Sequence, residues 1–257
     1  MRFVRYQQDD KPVQYGWIYA DQVGPIEGTP FGEYRRLEVD TSIQSVRLLS
    51  PVIPGKIICV GRNYVEHARE HHADVPQIPL LFMKPSSSCI GLNDEIIHPP
   101  QTKQMEHEAE LAVVIGKSGR WIAAERALDY VLGYSIANDV TARDLQRLDG
   151  QWTRAKSFDT FCPLGPWIET DFDPSDALIT CRVNDELRQM ASTREMVFTV
   201  SQLIAFASTV MTLDPGDVLL TGTPAGVGVL SPGDKVQIEI EGIGTLSNSV
   251  ILETSHL

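Results

Sequence analysis

The 257-residue sequence contains few cysteines and no long apolar run. Its four cysteines, Cys59, Cys89, Cys162 and Cys181, form no Cys-x-x-Cys pair, so we predict reduced, mostly buried thiols and no cysteine-ligated zinc. No apolar stretch approaches the ~20 residues of a membrane span, and the first residues contain no hydrophobic signal core. We therefore expect a cytoplasmic protein that does not enter a membrane.

Basic residues are also few compared with acidic residues. Lysine and arginine number 22 against 34 acidic residues, which gives a formal net charge of -12. Nucleic acids and anionic membrane surfaces are polyanions, so this charge argues against either as a partner. A small anionic substrate would need cations placed locally in its site. With 42% hydrophobic residues, the chain can bury a full core without disulfides or structural metals.

The distribution of β-branched and turn residues predicts a mostly β protein with a few helices, an α+β fold. Residues 1–50 predict a small β-rich N-terminal segment, and Pro51 marks the predicted boundary with a larger catalytic domain at residues 51–257. One core-facing helix is predicted from Val200 to Met211, where apolar residues recur at helical spacing. The polar stretch 62–78 has only a thin apolar stripe, which predicts a loosely packed lid.

Three glutamates occupy alternate positions immediately before an apolar run. Glu106, Glu108 and Glu110 precede Leu111 to Ile115, whose β-branched content predicts a strand. In a strand, Glu108 and Glu110 would point to the same face, roughly 7 Å apart. Such a pair is costly unless a proton, a basic side chain or a cation neutralises it. The alternative is an edge strand whose acidic side chains face solvent.

Three further clusters contain residues that could take part in catalysis or binding. Asp139 follows a predicted strand, and Thr141 is a candidate cap for a short helix. Lys156 lies in a polar turn. Gly222 and Thr223 belong to a glycine-rich loop that could bind an anion through backbone N–H groups. This loop is not a P-loop, because it lacks the lysine that would follow the glycines.

Six stretches follow one another in a defined order between about Lys56 and Ile251. They are GRNYVEHARE (61–70), LFMKPSSS (81–88), HEAEL (107–111), NDVTARDLQ (138–146), AKSFDTFCPLGP (155–166) and LLTGTPAGVG (219–228). Together they resemble the fumarylacetoacetate hydrolase family. The resemblance implies a mixed β-roll or sandwich catalytic domain, preceded here by the β-rich N-terminal segment. It also implies a homodimer that acts on small-molecule 2-oxo acids.

The resemblance assigns a divalent cation to the acidic residues. Glu108 and Glu110 match the two glutamate ligands of the family, and Asp139 matches its aspartate ligand. Three carboxylates suit a hard cation, so Mg²⁺ or Mn²⁺ is expected, with Ca²⁺ as an alternative. Glu106 matches no ligand position and is expected to face solvent.

The resemblance also assigns roles around the cation. Lys156, Thr223 and the neighbouring Gly222 are expected to hold the substrate or its developing negative charge. Arg143 and Gln146 are expected to line the pocket, although Arg143 could instead form a structural ion pair, for example with Asp144.

A base is expected in the lid. There His67 and Glu70 are three residues apart, so that Glu70 could orient His67 to deprotonate a water molecule. Zinc chelation by His67, His71 and His72 is the alternative interpretation of this segment, because histidines at i and i+4 can bind zinc on a helix.

By the same resemblance, the expected reaction is metal-dependent hydrolysis of a carbon–carbon bond in an acylpyruvate-type 2,4-dioxo acid, such as fumarylpyruvate or acetylpyruvate. The metal would stabilise the enolate that forms as the bond breaks. Decarboxylation of oxaloacetate and tautomerisation or isomerisation of an oxo-dioate use the same chemistry and stay open. An alternative of another class is a catalytically idle homologue that binds a metal and a dicarboxylate.

Overall fold

The computed structural model of the chain describes residues 1–70 and 72–254. Within them, strands predominate over helices, as the sequence predicts. The strands are β1 (Arg2–Gln7), β2 (Gln14–Tyr19), β3 (Gln22–Gly28), β4 (Tyr34–Arg36), β5 (Thr41–Ser42), β6 (Arg47–Leu49), β7 (Ile57–Gly61), β8 (Leu80–Lys84), β9 (Cys89–Ile90), β10 (Glu95–His98), β11 (Met105–His107), β12 (Ala109–Ile115), β13 (Val131–Asn138), β14 (Thr141–Ala142), β15 (Cys162–Glu169), β16 (Leu178–Val183), β17 (Glu186–Ser192), β18 (Val218–Leu220), β19 (Gly228–Val229), β20 (Lys235–Ile240) and β21 (Gly244–Leu252). The α-helices are α1 (Val65–Glu70), α2 (Arg143–Asp149), α3 (Thr153–Lys156) and α4 (Val200–Val210).

The strand that follows the glutamates lies in the middle of the largest sheet. The order of this sheet is β4-β3-β2-β1-β15-β13-β12-β18-β7-β8. All seven residues of β12 are buried, because β13 and β18 pair with its two edges and apolar side chains cover its faces. The alternative interpretation of this segment as a solvated edge strand is therefore wrong.

A second sheet packs on the first and encloses the main core. Its strand order is β10-β21-β20-β16-β17. Buried residues from β12, β13, β16, β20, β21 and α4 form one apolar cluster between the two sheets. A small third sheet, β14-β11-β19, pairs the segment containing Glu106 with the start of α2 and with the glycine-rich loop. The arrangement is a β-sandwich with its functional segments gathered at one end.

The N-terminal strands extend the largest sheet. Strand β1 pairs antiparallel with β15, with Phe3 opposite Ile168, and β2 and β3 continue the sheet outward. Phe3 and Ile26 are buried in a second apolar cluster together with Leu164 and Ile168 of β15. The division of the chain at residue 50 stays a prediction.

Several local features follow the sequence closely. Helix α4 occupies the predicted span, and its first turn is capped reciprocally by Thr199 and Gln202. The four cysteines are free, and Cys89 is the partly exposed one among them. In the described residues, the helices are all too short or too polar to cross a membrane.

Candidate active site

The break between β11 and β12 brings the acidic residues together. Ala109 and Asn138 are paired across β12 and β13, so Glu108 and Asp139 lie opposite each other at the strand ends. The Glu108 N–H donates to Asn138 Oδ1 at 2.9 Å, and the Asp139 N–H donates to the Glu108 carbonyl at 2.9 Å. One carboxylate oxygen from each of Glu108, Glu110 and Asp139 lies within 4.8 Å of the others, and all three residues are buried.

Two buried lysines contact this carboxylate cluster. Lys156, at the end of α3, places its Nζ 2.8 Å from Glu108 Oε2 and 2.6 Å from Asp139 Oδ2. Lys84, at the end of β8, places its Nζ 2.6 Å from Asp139 Oδ1 and 3.1 Å from the Val140 carbonyl. Sequence analysis missed Lys84, although it lies in one of the six stretches that carry the family resemblance.

Arg143, on α2, forms ion pairs with the acidic segment. Its Nε lies 2.7 Å from Glu106 Oε2, its Nη2 donates a short hydrogen bond to Glu108, and its Nη1 donates to Gln146 Oε1 at 2.7 Å. The expected solvation of Glu106 is therefore wrong, because this residue is buried and paired with the guanidinium. Arg143 does form a structural ion pair, but with these glutamates; Asp144 instead accepts the Lys103 N–H.

The predicted side-chain cap of α2 by Thr141 does not form. Thr141 belongs to β14, and its Oγ1 donates to the Asp139 carbonyl at 2.8 Å. The helix begins after Ala142 without a side-chain cap. The Thr141 hydroxyl therefore fixes the turn that carries Asp139.

Four buried carboxylates face three cations in this cluster. Burial opposes ionisation of Glu108, yet Lys156 and Arg143 outweigh it and lower the pKa of its carboxyl. Burial raises the pKa of Glu110, and the charges on Asp139 and Glu108 raise it further. Burial alone would lower the pKa of Lys156, but the same carboxylates raise it. The raised pKa of Glu110 favours its protonated form, so the fully ionised cluster, with one negative charge in excess, is disfavoured without a further cation.

A divalent cation fits this arrangement. The donor set is three carboxylates, which hard cations such as Mg²⁺, Mn²⁺ and Ca²⁺ prefer. The penalty for ionising Glu110 comes from burial and from like charges, and a cation beside it would remove the second cause. Glu108, Glu110 and Asp139 are thus the residues that would hold the metal.

The glycine-rich loop does bind anions, but they are carboxylates of its own chain. The Gly222 N–H donates to Glu110 Oε2 at 2.7 Å, and the Gly226 N–H lies 3.2 Å from both carboxylate oxygens of Glu70. Gly222 has a φ of 96°, and a Cβ there would lie 2.7 Å from the Asn63 Cβ, so a larger residue would displace the loop. Thr223 Oγ1 donates to the Ala109 carbonyl at 2.9 Å and accepts a hydrogen bond from Gln189 Nε2 at 2.8 Å.

Gln189 is a further residue that sequence analysis missed. It is fully buried on β17, and its Oε1 accepts the Ala109 N–H at 3.1 Å and lies 3.0 Å from His107 Nδ1. Its Nε2 donates to Thr223 Oγ1 and to the Pro224 carbonyl, each at 2.8 Å. This amide therefore joins the peptide between Glu108 and Glu110 to the glycine-rich loop.

The lid helix places a histidine over the cluster. Helix α1 is short, and within it His67 is buried while its Nδ1 lies 3.5 Å from Glu70 Oε2. The zinc alternative includes His71, which lies outside the described residues, and His72 is exposed. His67 and Glu70 therefore lie at ion-pair distance from each other, and the dyad with its catalytic role stays a prediction.

A cavity of about 280 Å³ connects these groups. Most of the predicted site residues line it. They are His67, Glu108, Glu110, Arg143, Gln146, Lys156 and Thr223. The remaining predicted residues support that lining: Asp139 contacts both lysines, Gly222 holds Glu110, and Glu70 pairs with His67. Arg62, Phe82 and Trp152 complete one wall.

Comparison with known proteins places the chain in a family. Residues 56–251 match the family model for the fumarylacetoacetate (FAA) hydrolase C-terminal domain, and residues 1–51 match an Rv2993c-like N-terminal model. The rat mitochondrial oxaloacetate tautomerase Fahd2a is 49% identical over 80% of this chain and 70% of its own length.

Two solved structures extend the similarity to the whole fold. A 2-hydroxyhepta-2,4-diene-1,7-dioate isomerase from Mycobacterium marinum is 42% identical with a TM-score of 0.92, and the match covers 99% of this chain and 100% of that one. A maleylpyruvate hydrolase from Sphingobium sp. SYK-6, in complex with manganese(II) and pyruvate, is 32% identical with a TM-score of 0.81 and the same coverage. The chain therefore belongs to the fumarylacetoacetate hydrolase family of enzymes.

Proposed function

We propose that the protein is a divalent-metal-dependent enzyme that hydrolyses a carbon–carbon bond in acylpyruvate-type 2,4-dioxo acids. The observation that carries this proposal is the buried cluster of Glu108, Glu110 and Asp139, which shares one cavity with Lys156 and with His67 of the lid. The similarity to a maleylpyruvate hydrolase supports it. The cytoplasmic location and the homodimer stay expectations from the sequence.

The cavity supplies the groups that this reaction needs. A bound Mg²⁺ or Mn²⁺ would act as a Lewis acid toward the negative charge that develops on the 2-oxo acid. Lys156 lines the same cavity as a buried ammonium whose raised pKa keeps it charged, so it can stabilise that charge directly. Arg143 and Gln189 hold Glu108 and the glycine-rich loop in position.

His67 is the base in this proposal, with Glu70 holding its ring. The ring accepts a proton from water, and the resulting hydroxide attacks the distal carbonyl carbon. The bond between that carbon and its neighbour then breaks, its electrons form the enolate of pyruvate, and a carboxylic acid leaves. The imidazolium returns its proton to the enolate carbon, which completes the cycle.

Tautomerisation of oxaloacetate is the second candidate, and one observation favours it. Arg62 lines the cavity, and its backbone φ of 59° is unusual for a residue other than glycine. Its guanidinium has no hydrogen bond or ion pair to any residue that the structure describes. A cation at this wall suits a substrate with a second carboxylate, as both oxaloacetate and fumarylpyruvate have. The 49% identical relative, which is named an oxaloacetate tautomerase, is what favours tautomerisation.

Metal-stripped protein is expected to lose at least about 10³-fold in turnover and to recover it when Mg²⁺ or Mn²⁺ is added. The measurement compares acetylpyruvate cleavage with enol-to-keto conversion and decarboxylation of oxaloacetate, side by side. Restored cleavage of acetylpyruvate supports the hydrolase. Restored conversion of oxaloacetate alone supports the second candidate, and no metal-restored turnover of either compound contradicts both.

Substitution His67→Gln is expected to lower kcat by about 10²- to 10⁴-fold, because it removes the proton acceptor from the cavity. Binding of Mn²⁺, followed by titration calorimetry, should be unchanged. His72→Gln is the matched control, since this exposed histidine lies just beyond the same helix. Equal activity of the two variants would rule out His67 as the base.

A further inference from the structure

Two cysteines outside the active site lie side by side on neighbouring strands. Cys89 begins β9, Cys162 begins β15, and the two strands run parallel with these residues paired in register. Paired residues on neighbouring strands point to the same face of the sheet, so the two side chains are adjacent. Ser50 Oγ lies 3.1 Å from Cys89 Sγ on another side. Strand register therefore places the two thiols next to each other.

The two thiols have different surroundings. Cys89 is partly exposed and lines a cavity of about 240 Å³ together with Arg5, Ser50 and Asp94, whereas Cys162 is fully buried. The neighbouring Cys162 thiol lowers the pKa of Cys89, and Ser50 and Arg5 add to this effect against burial. The neighbouring Cys89 and burial raise the pKa of Cys162. A thiolate-prone sulfur in an accessible polar cavity is the kind that reacts with small oxidants.

We propose that Cys89 and Cys162 form a peroxide-reactive pair that closes into a disulfide. Cys89 thiolate attacks one oxygen of hydrogen peroxide, the O–O bond breaks, and the released hydroxide takes a proton to become water. The Cys162 sulfur then attacks the Cys89 sulfenic acid, an S–S bond forms, and the S–O bond breaks. The oxygen leaves as a second water with the Cys162 proton, so the two thiols have supplied two electrons to the peroxide.

The position of the pair connects it to the active site through the chain. Cys89 follows β8, which ends at Lys84, and Cys162 follows the short helix that ends at Lys156. Both lysines contact Asp139. The disulfide would covalently link the segment that follows Lys84 to the segment that follows Lys156.

The test exposes the folded, full-length protein to hydrogen peroxide, blocks remaining thiols with N-ethylmaleimide under denaturing conditions, and analyses a non-reducing digest by mass spectrometry. We expect a peptide pair linked through Cys89 and Cys162, with a mass two hydrogens below that of the reduced peptides, and with Cys59 and Cys181 alkylated. Linkage through Cys59, the buried cysteine on β7, or full alkylation of all four cysteines would overturn the proposal.

Variants locate the reactive sulfur without depending on the linked peptide. In Cys162→Ser, Cys89 should stop at a sulfenic acid that dimedone traps, because no resolving thiol remains. In Cys89→Ser, Cys162 should stay reduced, since it is sealed from the cavity. Cys181→Ser is the matched control and should still give the Cys89–Cys162 linkage. Dimedone labelling of Cys162 in place of Cys89 would contradict the assigned order of reaction.

Discussion

Substitution Asp139→Asn is expected to weaken Mn²⁺ binding by at least about 100-fold, because it removes one of three anionic ligands. Each tenfold change in the dissociation constant corresponds to about 1.4 kcal/mol of binding free energy. It should also destabilise the metal-free protein by about 3–5 kcal/mol, because Lys84 and Lys156 both lose a buried counter-charge. Titration calorimetry with Mn²⁺ and urea denaturation of the metal-free protein measure the two effects separately.

Asp144→Asn is the matched control for this change. Asp144 lies on α2, close in sequence to Asp139, and its carboxylate accepts hydrogen bonds from Thr102 and from the Lys103 N–H. These bonds lie outside the metal cluster, so we expect unchanged Mn²⁺ affinity and a loss of about 1 kcal/mol in the free energy of unfolding. Wild-type Mn²⁺ affinity in Asp139→Asn would contradict the assigned ligand set.

Local spacing predicts one part of the acidic cluster, and the family resemblance predicts the rest. Alternation puts Glu108 and Glu110 on one face of a strand, whereas Asp139 joined the predicted ligands through the resemblance. In the fold, Asp139 directly follows the strand that pairs with β12, which brings it to the two glutamates. The environment of Glu106 could not be predicted this way. Alternation shows which side chains share a face of a strand, but the partner of Glu106 is Arg143 on a helix that follows much later in the chain.

Lys84 and Gln189 show the other limit of sequence analysis. Gln189 reaches the metal segment only because the second sheet packs against the first, and its surroundings in the sequence contain no recognisable signal. Lys84 ends an ordinary strand, and its ion pair with Asp139 depends on how several strands are ordered between them. Long-range packing fixed both contacts, and neither propensity nor periodicity encodes it.

The glycine-rich loop makes backbone contacts whose partners the sequence does not reveal, and its predicted role in holding the substrate stays a prediction. Its residues predict a loop that binds an anion through backbone N–H groups, and Gly222 and Gly226 do bind carboxylates. The bound groups are Glu110 and Glu70, one from the metal cluster and one from the lid. The loop therefore holds together two parts of the candidate site, and this follows only from the tertiary fold.

Substitution Lys156→Met should separate metal binding from catalysis. The change removes an ammonium that touches Glu108 and Asp139, so Mn²⁺ no longer competes with that positive charge and its affinity should stay equal or increase. Turnover should nevertheless fall by about 10²- to 10³-fold, because the cavity loses the buried ammonium that is expected to stabilise the developing charge. Mn²⁺ titration and steady-state kinetics at saturating metal measure the two quantities.

Lys84→Met is the matched control, because it removes the other ammonium from the same aspartate. Either variant leaves buried carboxylate charge uncompensated, so both metal-free proteins should lose about 3–5 kcal/mol of stability. Bound Mn²⁺ should restore part of that loss in each, since it binds the folded state. Lys156 lines the active-site cavity, whereas Lys84 lines the neighbouring groove, so turnover should fall much further in Lys156→Met. Equal loss of turnover in the two variants would mean that Lys156 acts only by holding Asp139 in place.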